Sequence, residues 1–169
     1  MFNLEKNNIK ILVYKKKYKM NIINLDNLEL KTFTLQDAED YCLLNNINPL
    51  NITELIFYNN YLTDISGIKV FKNLKELNIE YNKITDISVL RDLKNLEILY
   101  LEGNNKITDI SVIKDLTELT NLGINSLKLK SDQIQYINSC KNLKKLYCYK
   151  GFKDMSVLNN INKNIEKNY

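Results

Sequence analysis

The stretch LKELNIEYNKITDISVLRDLKN (74–95) is followed directly by a second copy of itself, LEILYLEGNNKITDISVIKDLTE (96–118). Both contain the string ITDIS, 23 residues apart, inside matching frames of apolar residues. Extending the frame outward finds the same pattern in 52–73, 119–142 and 143–164, in units of 22 to 24 residues. Repeats of this length predict a stack of identical supersecondary units rather than one irregular core.

Each unit combines two periodicities. Leu77 and Ile79 are two residues apart, which favours a short strand with one buried face. Past the corner, Ile87, Leu90 and Leu93 follow at intervals of three, which places them on one side of a 3₁₀ or α turn. A single strand and turn cannot bury their own apolar side, so the units must stack into a solenoid.

The pattern LxxLxLxxNxIxDIxxLxxL resembles the short leucine-rich repeats of bacterial internalins and of a phosphatase regulator of the SDS22 type. The resemblance covers 52–164 and implies an α/β leucine-rich-repeat solenoid. Its parallel sheet would line the concave face, with short 3₁₀ or α turns on the convex face and a cap at the N-terminal end.

Two polar columns accompany the repeats. Asn60, Asn82 and Asn104 follow the strands, and we expect them to bond backbone groups inside the corners, although Asn105 could take the place of Asn104. Asp64, Asp86 and Asp109 form the second column. One carboxylate per repeat is too few for Ca²⁺, which needs six to eight oxygen ligands, so we expect these residues to cap the convex turns.

The ends depart from the frame. We expect one folded domain with a cap segment at 1–29, an irregular helix-bearing repeat at 30–51, five repeats at 52–164 and a tail at 165–169 without regular structure. Residues 9–14 and 18–23 could form a β-hairpin around Lys15, Lys16 and Lys17. A capping box at Thr34 and Asp37 predicts a helix start, and Pro49 predicts its end. Ser131 is predicted to cap a longer helix in the fourth repeat.

Composition excludes several classes of site. The chain of 169 residues contains no histidine and four glycines, which removes His-dependent triads, His-ligated metal sites and a Gly-rich phosphate loop. We predict no catalytic residue, no metal ligand and no cofactor. Three widely spaced cysteines favour reduced thiols and a cytoplasmic location, and the short apolar run at 9–14 predicts no membrane span.

Between the buried strand positions, side chains should point out of the concave face. The residues predicted to contact a partner there are Glu54, Ile56, Tyr58, Glu76, Asn78, Glu80, Tyr81, Ile98, Tyr100, Glu102, Asn121, Asn125, Lys145, Tyr147 and Tyr149. Tyrosine is enriched at protein interfaces, although it also has a high propensity for β-strands. Five strands give this face only about 400 Å², below the roughly 800 Å² per partner of a standard interface, so the caps or loops must contribute or the partner must be small.

We therefore expect a non-catalytic module that binds another protein through its concave face, as a scaffold, an adaptor or an inhibitor, with no small-molecule substrate. Net charge is +5 over residues 1–20, −4 over 21–51, −3 over 52–118 and +6 over 119–169. The basic ends leave open a subunit that binds nucleic acid or a ribonucleoprotein, although the acidic middle opposes this. An internalin-like adhesin lacking its export signal is the third possibility.

Overall fold

The computed structural model describes residues 21–168. Seven strands form one parallel sheet in chain order. They are β1 (Ile22–Asn24), β2 (Glu54–Ile56), β3 (Glu76–Asn78), β4 (Ile98–Tyr100), β5 (Asn121–Gly123), β6 (Lys145–Tyr147) and β7 (Glu166–Asn168). The expected leucine-rich-repeat solenoid is confirmed, with two strands more than the five repeats predict.

The return segments contain 3₁₀ helices of one or two turns and two α-helices, the longer of which has about three turns. The two α-helices are α1 (Leu35–Leu44) and α2 (Ile134–Ser139), and the 3₁₀ helices are Pro49–Asn51, Ser66–Val70, Ser88–Asp92, Ser111–Asp115, Ser131–Gln133 and Met155–Asn160. The repeating Leu-to-Leu register puts one fully buried leucine from each of β2 to β6 in a row, at Leu55, Leu77, Leu99, Leu122 and Leu146. These leucines belong to the hydrophobic core. We call the opposite face of the sheet the concave face.

The first irregular unit agrees with its sequence prediction except at its end. Thr34 accepts the Asp37 N–H and the Asp37 carboxylate accepts the Thr34 N–H, which is the predicted capping box. The helix ends at Leu44, however, because Asn46 adopts a left-handed conformation (φ 52°). Pro49 is not the stop signal: it begins a 3₁₀ helix.

The chain ends also differ from expectation. The tail has regular structure, contrary to the sequence prediction: Glu166–Asn168 forms β7 because the backbone edge of β6 is open to pairing and Ile165 is buried in the core. At the other end, Ile22–Asn24 pairs in parallel with β2. The predicted hairpin partner at 9–14 and the cluster at 15–17 lie outside the described residues.

The fourth unit is longer than the others, as its sequence indicates. Its 3₁₀ helix continues directly into α2, with Ile137 and Cys140 buried. Ser131 does not occupy the predicted cap position: it is the first residue of the 3₁₀ helix, and Lys130 precedes it as the cap residue.

Candidate binding surface

The strand register assembles the predicted residues into columns on the concave face. Glu54, Glu76, Ile98, Asn121 and Lys145 pair in one row across the sheet, and Ile56, Asn78, Tyr100, Gly123 and Tyr147 pair in the next. A third row, Tyr58, Glu80, Glu102, Asn125 and Tyr149, follows the strand ends. Tyr58, Tyr81, Lys145 and Tyr149 are exposed, Glu102 is buried and the remaining predicted residues are half-buried.

Glu102 is the one predicted surface residue whose environment differs from expectation. Its place in the frame predicts an exposed carboxylate, but the residue is only 5% exposed. The cause is Gly123 on the neighbouring strand: a Cβ there would lie 2.6 Å from the Glu102 Cδ atom. The missing side chain leaves the space into which the Glu102 carboxylate folds, against the sheet.

Burial of Glu102 changes its protonation. Loss of solvent around the carboxylate, reinforced by the charge of Glu80, raises the pKa of Glu102 to about 7. Burial and the charge of Glu54 also raise the pKa of Glu76. The centre of the concave face therefore contains one carboxylate, Glu102, whose ionisation changes near neutral pH.

Tyrosines surround these carboxylates. Burial raises the pKa of the Tyr100 phenol, and Tyr147, Glu76 and Glu102 add to this shift through their charges. The Tyr100 and Tyr147 ring centroids are 6.2 Å apart. Two aromatic rings beside carboxylates combine an apolar contact area with hydrogen-bonding groups, the combination found at interface anchors.

A second aromatic group lies at the strand ends. The Tyr58 and Tyr81 rings meet edge to face with centroids 5.3 Å apart. Lys83 Nζ lies 4.6 Å from the ring centroid of Tyr61, a half-exposed residue that the sequence prediction does not include. Its position just after a corner asparagine is visible in the repeat frame, but the prediction of surface residues extends only to the strand positions and Tyr81.

The asparagine column has the structural role expected of it. Asn82 is buried; its amide donates to the carbonyls of Phe57, Ile79 and Glu80, and its Oδ1 atom accepts the Leu62 N–H at 2.9 Å. Asn104, which is fully buried, makes the equivalent bonds one repeat later. Asn105 is exposed and does not take this place in the column. These side chains satisfy backbone groups that the turning chain leaves unpaired.

The aspartate column is likewise structural. Asp64, Asp86 and Asp109 each accept the N–H of the serine two residues later, at 2.7–2.8 Å, at the start of a 3₁₀ helix. The N-cap positions belong to Ile65, Ile87 and Ile110, so the aspartates do not cap the helices as predicted. Each lies one residue before the cap and bonds the first N–H of its 3₁₀ helix, which is still a structural role.

The three cysteines are free and buried. Burial raises the pKa values of Cys140 and Cys148 to about 11, so both thiols stay protonated and unreactive at neutral pH. Within residues 21–168, no group of three or more acidic or thiol side chains is arranged to hold a metal ion. No helix in that range has the length and apolar character needed to cross a bilayer.

Comparisons with known proteins agree with the repeat frame. A family model described as "Leucine Rich repeats (2 copies)" matches residues 50–92 and 72–116. No curated protein sequence matches the chain.

Solved structures give the same fold. An internalin of Listeria monocytogenes (inlF) is 27% identical with a TM-score of 0.64, covering 80% of this chain and 37% of its own. Internalin C2 of the same species is 24% identical with a TM-score of 0.59, covering 85% of this chain and 77% of its own. A leucine-rich repeat protein of Leptospira interrogans is 23% identical with a TM-score of 0.52, covering 85% of this chain and 41% of its own. The chain thus spans just over a third of the length of the first of these, and the likenesses under 25% identity concern the fold alone. With its repeats and its single parallel sheet, the chain has the leucine-rich-repeat fold and is similar to the internalins.

Proposed function

We propose that the protein is a non-catalytic module that binds a partner protein through the centre of its concave face. Leucine-rich repeat proteins are generally protein-interaction modules, and the observation that supports this face is the arrangement of Tyr100 and Tyr147. Their rings pack together over the sheet, half-buried, beside Glu76, Glu80 and Glu102. Neither ring belongs to the hydrophobic core, so their packing serves the surface.

The size of the face is compatible with such a role when the strand ends are included. Seven strands at about 4.8 Å spacing extend roughly 34 Å. Each strand has three residues. When the two residues after each strand are included, five residues at ~3.3 Å each bring the face to about 600 Å². The exposed ring of Tyr81, which packs on Tyr58 beyond that area, brings the surface toward the roughly 800 Å² of a standard interface.

Affinity capture from cells of the source organism tests this proposal. It compares the unmodified protein with the double variant Tyr100→Ala/Tyr147→Ala. Neither ring supports the core, so the variant should fold and its circular dichroism spectrum should match that of the unmodified protein. We expect it to lose the partner that the unmodified protein retains. A matched double variant outside the strands, Lys114→Ala in a 3₁₀ helix and Lys141→Ala in the turn before β6, removes exposed side chains only and should retain the partner.

A folded Tyr100→Ala/Tyr147→Ala variant that still captures the partner would contradict the concave-face proposal. Nucleic acid is the second candidate because of the basic residues toward the C-terminus. Capture that survives nuclease treatment and moderate salt supports the protein partner, since phosphate binding weakens steeply with salt.

A further inference from the structure

An acidic centre, defined by Glu76, Glu80 and Glu102, occupies the middle of the concave face. Glu76 lies on β3, while Glu80 and Glu102 follow the ends of β3 and β4. Glu80 Oε2 accepts a hydrogen bond from Asn78 Nδ2 at 2.7 Å, and its charge acts on Glu102. Among the described residues, no lysine or arginine forms an ion pair with any of the three carboxylates.

Glu102 adds a second and independent observation. Its side chain is turned toward the concave face over Gly123, and only 5% of the residue remains exposed to solvent. Asn125 Nδ2 approaches Oε1 at 3.4 Å, but Oε2 is buried and receives no hydrogen bond from the described residues. While Glu102 is protonated, its carboxyl group has Glu80 as a hydrogen-bond acceptor. Once Glu102 is ionised, a buried oxygen without a donor is costly and Glu80 cannot supply one, so the ionised arrangement calls for a positively charged donor from outside the chain.

The surroundings restrict what that donor is. No cluster of acidic side chains in residues 21–168 has the arrangement of a metal site, which favours an organic cation. The rings of Tyr100 and Tyr147 adjoin the carboxylates and offer π faces to such a cation. An arginine guanidinium is planar, can donate to two carboxylates at once and stacks on aromatic rings, whereas a lysine ammonium is a single hydrated point charge.

We propose that the acidic centre binds an arginine side chain of the partner protein, between Glu80 and the Tyr100–Tyr147 ring pair, with Glu102 as the deeper countercharge. This rests on the proposed function, since it specifies the chemistry of the partner that the concave face takes. The chain as a whole has a net charge of +4. Attraction for an arginine is therefore a local property of this centre and not a general one of the protein.

Binding must be linked to proton release. The groups that act on Glu102 are Glu80 from the β3 unit, Tyr100 on β4 and Asn125 beyond β5, while Glu76 and Tyr147 adjoin Tyr100. None of them is cationic, so Glu102 retains its proton well toward neutral pH. A guanidinium placed beside it favours the ionised form, and the complex releases that proton to the buffer.

Isothermal titration calorimetry of the full chain with acetyl-tetraarginine amide tests the proposal. At pH 6 we expect release of close to one proton per bound peptide, measured in buffers of different ionisation enthalpy. At pH 8 we expect almost no release and an affinity about tenfold higher, because Glu102 is then already ionised. Tetracitrulline, which keeps the shape without the charge, should not bind, and tetralysine should bind more weakly than tetraarginine.

Two variants with the same change in formal charge separate local from general attraction. Glu102→Gln should lower the affinity at pH 8 about tenfold and abolish proton release, while Glu118→Gln should match the unmodified protein. Glu118 is an exposed residue that precedes β5, at the other end of the strands from Glu102. Glu80→Gln should also weaken binding, which keeps the test decisive if one variant fails to fold.

Any of three results would overturn the proposal. Glu102→Gln and the unmodified protein could bind tetraarginine equally well at pH 8, no proton could be released at pH 6, or tetralysine could bind as tightly as tetraarginine. These outcomes are distinct from failure of the proposed function. If partner capture requires Tyr100 and Tyr147 but the affinity for tetraarginine is unchanged in Glu102→Gln, only the arginine inference is wrong.

Discussion

Replacement of Glu102 by glutamine should stabilise the protein, and more so at high pH. In the unfolded chain Glu102 titrates near the ordinary glutamate pKa of 4.5, whereas in the folded protein burial and Glu80 raise the pKa to about 7. The folded state thus holds the proton more tightly. The stabilisation that this proton provides is complete below pH 4.5 and is lost as the pH rises through 7.

The magnitude follows from the two pKa values. A raised pKa of this size makes ionised Glu102 unfavourable by about 3 kcal/mol at pH 8. Between pH 5 and pH 8 the free energy of unfolding should fall by about 2.5 kcal/mol from this residue alone. For a chain of this length that equals a decrease in Tm of roughly 5–10 °C.

Urea unfolding of the unmodified protein and of Glu102→Gln at pH 5 and pH 8 measures this effect. The neutral amide has nearly the same shape as the carboxyl group, so the difference in unfolding free energy between the two proteins should grow by about 2.5 kcal/mol from pH 5 to pH 8. Titrating groups that do not interact with Glu102 contribute equally to both proteins and cancel. Glu118→Gln, at an exposed site, should show no such growth. A pH-independent difference between Glu102→Gln and the unmodified protein would refute the reasoning.

Three further substitutions probe packing, each measured by urea unfolding at pH 7. Asn82→Ala should lower the free energy of unfolding by about 2–4 kcal/mol because it leaves buried backbone groups without partners. Asn105→Ala, at an exposed position beside the asparagine column, should change stability little. Similar losses at the two sites would contradict the structural role of the asparagine column. Gly123→Ala should lower stability less than Gly67→Ala does, because its Cβ meets only the flexible end of the Glu102 side chain, which can turn toward solvent. Adding Glu102→Ala should remove the loss that remains, and purely additive effects would contradict the contact. Gly67→Ala should lower the free energy of unfolding by about 1–3 kcal/mol, since its Cβ would lie 2.7 Å from a backbone oxygen of the segment that leads into α1. Unchanged stability would mean that the two segments are not in tight contact.

Much of the fold could be predicted from the sequence because the repeat frame carries its own register. One apolar position per strand, repeated every 22 to 24 residues, fixes which side chains are buried. That frame predicts the row from Leu55 to Leu146 and narrows the corner position of the third repeat to Asn104 or Asn105. The bonds of Asn104 decide that choice, because only a residue inside the corner reaches the carbonyls of two repeats.

The unpredicted features depend on neighbours across the sheet rather than on local pattern. β1 and β7 join the sheet through backbone pairing with β2 and β6, which needs no apolar repeat of their own. Burial of Glu102 depends on Gly123, which is 21 residues away in the chain but adjacent in space. A glycine within a column of large side chains was the available signal, since it marks a place where a neighbouring group comes close.

Photocrosslinking from two positions on the solenoid shows which face contacts a protein partner. A benzoylphenylalanine at position 100 keeps an aromatic ring at the acidic centre, and the same residue at the exposed position 114 places it on a convex-side 3₁₀ helix. We expect irradiation in cells of the source organism to give a discrete protein adduct from Tyr100→benzoylphenylalanine and none from Lys114→benzoylphenylalanine. Adducts of equal yield from both positions, or from position 114 alone, would contradict the concave-face proposal.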